Sequence, residues 1–180
     1  EYTYACSDFK FKKGLVSATK TSGHTLQIAD GLWLDKKFKA AMMKSIAQSE
    51  LDRKRFVYSD IGFILLQQVV EAVTGKTLDA YLVSEFYRPM GLEHTLFQPL
   101  NRYKKAGIMP TAANDYLRRQ DLCGYVHDEA AAFMGGVSGN AGLFSTAQEL
   151  GKIYQMILNE GELDGKRYLR PETCRIFTTE

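Results

Sequence analysis

The chain has 180 residues, 45% of them hydrophobic and 24% charged, and a formal net charge of +2. That is enough for one domain with a real core and too little for two. The near balance of charge argues against a nucleic-acid face, because the basic runs RKR at 53–55 and RYKK at 102–105 are short, separate and of the kind that solvates a surface.

Residues 1–24 are polar and glycine-, serine- and threonine-bearing, and read as a loop-like entry. The opening EYTYACSDFKFKKG has neither an initiator methionine nor a signal-peptide pattern, and reads as a cut made inside a longer protein. HTLQIADGLWL alternates Leu26 and Ile28 with polar neighbours and predicts a short strand. Asp35 can cap a helix carrying Phe38, Met42 and Ile46. In RFVYSDIGFILLQQVVEAVTG, residues 55–75, the steps of three and four between Ile61, Ile64, Leu65, Val69 and Val73 predict a helix. Ser59 or Asp60 stands at its start and Gly75 where a left-handed cap is wanted. A second helix from Thr77 carries Leu78, Tyr81, Leu82 and Phe86, and RPMG ends it.

Residues 93–133 have no clean period, with room for one helical turn in VHDEAAAF. Four glycines then fall within residues 135–142. Ser145 with Gln148, or Thr146 with Glu149, fits a capping box ahead of a stripe of Leu150, Ile153, Tyr154, Ile157 and Leu158. LDGKRYL predicts a hairpin turning at Asp164-Gly165, and Pro171 opens a last helix. The fold class expected is mainly α with a few short strands, residues 25–180 forming one helical unit after the entry segment.

Several chemistries are excluded by residue type and spacing. A phosphate-binding loop needs Lys-Ser or Lys-Thr after its last glycine, whereas Gly142 is followed by Leu143 and Phe144. No cofactor is implied. His24, His94 and His127 are isolated, and the side chains of consecutive His127-Asp128-Glu129 diverge, so no metal site is expected. Cys6, Cys123 and Cys174 are too widely spaced for zinc and allow one disulfide at most. No run of about 18 apolar residues could cross a membrane. Asp128 and Glu129 cannot flank a glycosidic bond, and His127 reads more readily as a structural hydrogen-bonder than as a catalytic group.

Serine chemistry remains. Where a Ser-x-x-Lys nucleophile is used, one helical turn sets the lysine beside the serine, and a second element supplies a phenol and an amide. Tyr58-Ser59-Asp60, followed by IGFILLQQVVEAVTGKTLDAYLVSEFYRPMGLEHTLF, resembles the second-motif helix and its successor in class C β-lactamase-like proteins. Those include penicillin-binding DD-peptidases and related esterases. GYVHDEAAAF and GGVSGNAGLFSTAQELGKIYQMILNEGELDGKRYLRPET are similar to later stretches of the same family, and most similar to the β-lactamase-like domain fused behind a glycoside hydrolase family 3 domain in bacterial surface proteins.

The resemblance implies the helical subdomain of an α+β serine hydrolase that performs acyl transfer or hydrolysis on a cell-wall-type peptide, amide or ester. Tyr58 would assist proton transfer and Asp60 would position the lysine, with Ser59, His127 and Asn140 lining the substrate groove beside the Gly-rich segment. A periplasmic or cell-surface setting follows from the family's work on cell-wall peptides. Ser17-Ala-Thr-Lys20 and Ser7-Asp-Phe-Lys10 fit the nucleophile pattern on paper, but both lie too close to Tyr58 in loop-like sequence. Gly75-Lys76-Thr77 is a helix cap followed by Leu78, not the family's third motif. The expectation is therefore a fragment without nucleophile or third motif, inactive alone, whose partner is the remainder of its own polypeptide. Asp60 stands where the motif normally has asparagine, so it accepts but cannot donate. A different class of reading is a non-catalytic binding module that keeps the fold and has lost the chemistry.

Overall fold

The computed structural model describes residues 6–7, 10–50 and 57–179. The basic run at 53–55, most of the Ser7–Lys10 pattern and the side chain of Cys6 lie outside the described residues. The entry segment carries strands where the sequence reads as loop. β1 (Cys6–Ser7) pairs with β2 (Lys10–Phe11), and β3 (Val16–Ser17) lies against β5 (Leu32–Asp35), which also pairs with β4 (His24–Ala29). The three form an antiparallel sheet in the order β3-β5-β4. What reads as one strand at 24–34 is thus a hairpin, turned at Asp30-Gly31 with Gly31 at φ 58°. Two-residue strands are too short to show alternation, which is why the pattern hides them.

Helix α1 (Phe38–Gln48) begins two residues later than an Asp35 cap would require. Asp35 instead accepts from the Lys37 N–H at 2.7 Å, closing the turn ahead of the helix. α2 (Asp60–Thr74) is capped by Ser59 and closed by Gly75 at φ 67°. α3 (Leu78–Leu82) widens into a π-helical turn over Val83–Tyr87 and stops at Gly91. The irregular stretch that follows is tied down by two-stranded pairings. β6 (Leu96–Phe97) reaches forward to β9 (Leu143–Phe144), and β7 (Pro110–Ala112) pairs with β8 (Leu122–Cys123). α4 (Glu129–Phe133) is the single turn expected of VHDEAAAF. α5 (Ala147–Leu158), the β10 (Glu162–Leu163) and β11 (Lys166–Arg167) hairpin, and α6 (Pro171–Thr178) complete the chain. The hairpin turns where expected, with Asp164 and Gly165 at φ 50° and 76°, as a type I′ turn demands.

Three apolar clusters organise these elements. Ile28, Leu34, Phe38, Leu117, Ala132 and Phe133 join the sheet to α1 and α4, with the Phe133 ring edge-on to Phe38 at 5.3 Å. Tyr87, Met90, Leu92, Met156 and Leu163 join the α3 end to α5. Ile64, Ala130 and Met134 seat α2 on α4. The stripes read from periodicity are only partly buried. On α2 Ile64 is buried, but Leu65, Val69 and Val73 are exposed, and the buried line continues through the polar Gln67. On α5 Met156 is buried, with Ile153 and Ile157 partly so, while Leu150, Tyr154 and Leu158 face outward. Cys123 and Cys174 are free thiols. Among the described residues no helix is long and apolar enough to cross a membrane.

Candidate functional site

The Tyr-Ser-Asp triplet opens α2, and each residue has a distinct fate. Ser59, in extended backbone, accepts the Ile61 N–H at 3.3 Å and is the helix cap. Tyr58 is 70% exposed, and its ring leans on Phe63 with centroids 5.9 Å apart. Among the described residues its hydroxyl has no hydrogen-bond partner. Asp60 begins the first helical turn, where a carboxylate complements the unpaired N–H groups and the helix dipole. Among the described residues no side chain pairs with its carboxylate.

The Gly-rich segment packs directly on this helix. A Cβ on Gly139 would stand 2.2 Å from the Phe63 carbonyl oxygen, so only glycine permits the approach. Buried Gln67 holds the segment there: its amide oxygen accepts the Gly139 N–H at 3.1 Å, and its amide nitrogen donates to Val137 O and Glu71 Oε1. A groove lined by Phe63, Gln67, Ser138, Gly139 and Asn140 runs between the two. Tyr58 is not among its lining residues, but its ring leans on Phe63, which is.

Asn140 is engaged at both ends of its amide, accepting from Ser138 Oγ at 2.6 Å and donating to Asp128 Oδ1 at 3.0 Å. The same Asp128 oxygen accepts the Ala131 N–H and caps α4. His127 has an exposed side chain, and its carbonyl oxygen is held by Arg118. The structure thus links Asn140 to the 125–128 loop through Asp128, and leaves the His127 ring outside that network.

Two polar networks that sequence reasoning missed support this arrangement. Arg118 and Asp115 form a fully buried pair at 2.8 Å, and Arg118 also donates to the carbonyls of Val126 and His127. Burial pushes the Asp115 carboxyl up, but the hydrogen bonds and charge of Arg118 outweigh it and hold the group below the usual carboxylate range. Glu149 is the second. Thr146 caps α5 by accepting the Glu149 N–H, but the Glu149 carboxylate does not return to complete the capping box. It accepts instead from the N–H groups of Glu93 and His94 and from the Thr95 hydroxyl at 2.7–3.0 Å. Its burial would raise its pKa, yet these donors hold it down to about 2. The signal for Asp115-Arg118 was an acid and a base three residues apart in a stretch without periodicity; nothing local marks the reach of Glu149 across 54 residues to Thr95.

The Ser17–Lys20 pattern does not form a nucleophile. Ser17 lies in β3 and accepts the Thr19 N–H, while the Lys20 ammonium sits 5.5 Å from the Trp33 ring centroid. The two are not on one helical turn. Among the described residues no three or more His, Cys, Asp or Glu side chains converge as a metal site would require.

Comparison with known proteins gives consistent matches. The chain is 40% identical over 137 residues to the "Putative D-alanyl-D-alanine carboxypeptidase" of Escherichia coli (strain K12), covering 69% of this chain and 32% of that protein. It is 39% identical over 140 residues to the "N-acetylmuramyl-L-alanine amidase" of Bacillus subtilis (strain 168), covering 69% and 31%. Among solved structures it resembles the octameric penicillin-binding protein homologue from Pyrococcus abyssi, at a TM-score of 0.46 and 14% identity over 78% of this chain and 34% of that one. The chain spans about a third of the length of these curated relatives. Residues 18–179 match the Beta-lactamase family model, a span that takes in both the α2 site and the Gly-rich segment. The chain belongs to the β-lactamase family.

Proposed function

We propose that this chain is the helical part of a serine hydrolase that transfers or hydrolyses acyl groups on a cell-wall-type peptide, amide or ester. The nucleophilic serine, its lysine and the third motif are supplied by the rest of the polypeptide. Tyr58 relays the proton between the serine and the leaving group, and Asp60 accepts from the lysine. Ser59, with the groove around Asn140 and the 125–128 loop, borders the substrate.

The observation that carries the reading is the state of the triplet. A tyrosine kept for structure is satisfied by its surroundings, whereas the Tyr58 phenol is 70% exposed at the start of a capped helix, with no partner among the described residues. The names of the relatives support a cell-wall substrate and an envelope setting. The sequence likeness of residues 124–133 supports a parent in which this domain follows a glycoside hydrolase family 3 domain. The 180-residue chain alone is catalytically silent, because positioning groups cannot form an acyl-enzyme without a nucleophile.

The test is kinetic and uses the complete protein. Tyr58→Phe lowers kcat on an activated ester by about 10²- to 10⁴-fold with KM little changed, the range for loss of a positioned proton-transfer group. Asp60→Asn raises activity on carboxylate-bearing substrates, because it restores a donor and removes a repelling charge. Unchanged kinetics in both variants would mean that the triplet only caps a helix. The second reading, a binding module without chemistry, is favoured by one feature: Asp60 is acceptor-only where the motif needs a donor. Saturable binding of a cell-wall peptide without turnover by the complete protein would establish it.

A further inference from the structure

We propose that the cleft between the π-helical turn at Val83–Tyr87 and Arg102 is a binding site for a phosphate monoester. The cleft has a volume of about 450 Å³, and Tyr87, Arg88 and Arg102 line it together with the apolar Val83, Leu92 and Leu96. A π-helical turn carries one residue more than an α turn, and single turns of this kind recur at functional sites. Arg88 follows directly on that turn, and Arg102 follows the short helical turn Pro99–Asn101. The three donor groups thus come from two separate segments.

Each donor is open. Tyr87 is only 6% exposed, yet its hydroxyl has no hydrogen-bond partner among the described residues and is not sealed from solvent. A buried phenol usually finds a partner. Burial pushes its pKa up to about 12, so it stays protonated and donates at neutral pH. The Arg88 guanidinium has no partner among the described residues either. Arg102 donates one N–H to the Glu93 carbonyl at 2.9 Å and lies over the Tyr103 ring, which holds the group in place and leaves its other N–H groups unbonded among the described residues. The Glu93 carboxylate stands at the same cleft but forms no ion pair with either arginine among the described residues. Tyr87 also borders the groove beside α2, where the polar side chains of Gln67, Ser138 and Asn140 are already engaged.

These groups point to one ligand chemistry. Guanidinium groups bind oxyanions through charge-assisted hydrogen bonds. A carboxylate presents two oxygens, whereas a phosphate monoester presents three terminal oxygens, one for each donor. The volume falls within the roughly 300–1,000 Å³ of small-molecule sites, more than a bare phosphate fills. Val83, Leu92 and Leu96 offer an apolar wall to the body esterified to it. A neutral ring would leave both guanidinium groups unused. The site shares no side chain with the Tyr58-Ser59-Asp60 triplet, so it stands or fails apart from the proposed catalysis.

The test is calorimetric. The 180-residue chain is titrated with phenyl phosphate, inorganic phosphate and benzoate. Saturable binding is expected for phenyl phosphate, with inorganic phosphate weaker and benzoate weaker still. Arg88→Gln and Arg102→Gln, both at exposed positions, each weaken phenyl phosphate by about tenfold, the worth of a charge-assisted hydrogen bond. Tyr87→Phe removes only the unpartnered hydroxyl and weakens it by about two- to tenfold. Glu93→Gln removes the opposing charge and tightens binding. No saturable binding of phenyl phosphate would overturn the proposal. So would benzoate binding as tightly as phenyl phosphate, or an affinity that both arginine variants leave unchanged.

Discussion

Helices α2 and α5 start alike and end in opposite uses of the same residue types. Each has a hydroxyl cap, Ser59 or Thr146, and an acid in its first turn, Asp60 or Glu149. At α5 the acid is buried and gathers the N–H groups of Glu93 and His94, the Thr95 hydroxyl and the His94 ring, so it serves as a fastener between a helix and a loop. At α2 the acid and the neighbouring phenol are left unclaimed by any described residue. A carboxylate that the fold has consumed is structural; one held in place and left open is available to a ligand. Composition cannot separate the two cases, because the difference lies in what the rest of the chain brings to each helix start.

The sharpest way to break the comparison is to remove both acids. Glu149→Ala is expected to lower unfolding free energy by about 3 kcal/mol in urea denaturation, because it strands two backbone N–H groups and leaves the buried Thr95 hydroxyl with Ser145 alone. The pH dependence carries the same signature. With its pKa lowered from the ordinary 4.5 to about 2, Glu149 contributes its full stabilisation above about pH 4.5 and loses it as pH falls towards 2. Glu149→Gln should therefore flatten the acid limb of a stability–pH curve between those values. A variant that unfolds along the same acid limb as the parent would show that Glu149 is not the fastener.

A smaller effect is expected where the Gly-rich segment meets α2. Gly139→Ala forces a methyl group against the Phe63 carbonyl and should cost about 1–3 kcal/mol, read from the same denaturation curves. Alanine at Gly151, where a Cβ would meet nothing within 4 Å, is the matched control and should not destabilise. The smallest effect belongs to the triplet itself. Asp60→Asn and Tyr58→Phe should each shift stability by less than about 0.5 kcal/mol, as surface substitutions do. A loss of 2 kcal/mol or more in either would place the triplet in the structural class alongside Glu149.

What the sequence disclosed was local. The Ser59 cap and Gly75 stop of α2, the single turn at 129–133, the Thr146 cap, the Asp164-Gly165 turn and Pro171 at the start of α6 are all decided within a few residues, so they are visible in the chain. The strands of the entry segment were not visible, because β3 exists only by pairing with β5 sixteen or more residues on. The helix faces were half right: the period was correct, but which side is buried depends on partners such as Gln67 with Val137 and Gly139. The candidate site divided in the same way. Tyr58 and Asp60 could be proposed because a triplet at a helix start is a local pattern. The commitment of Asn140 to Asp128, and the carbonyl clamp of Arg118, are long-range geometry that no spacing announces.

That clamp has a mechanical consequence. Asp115 grips Arg118, Arg118 grips the carbonyls at 126 and 127, Asp128 grips Asn140, and Gln67 grips Gly139 on the side of α2. Each joint is a short, directed hydrogen bond, and Gly139 rests against the Phe63 backbone with no room to slide. The series behaves as a stiff linkage. Residues 115–118, far along the chain from residue 58, are thereby joined through the Gly-rich segment to α2 at Phe63 and Gln67.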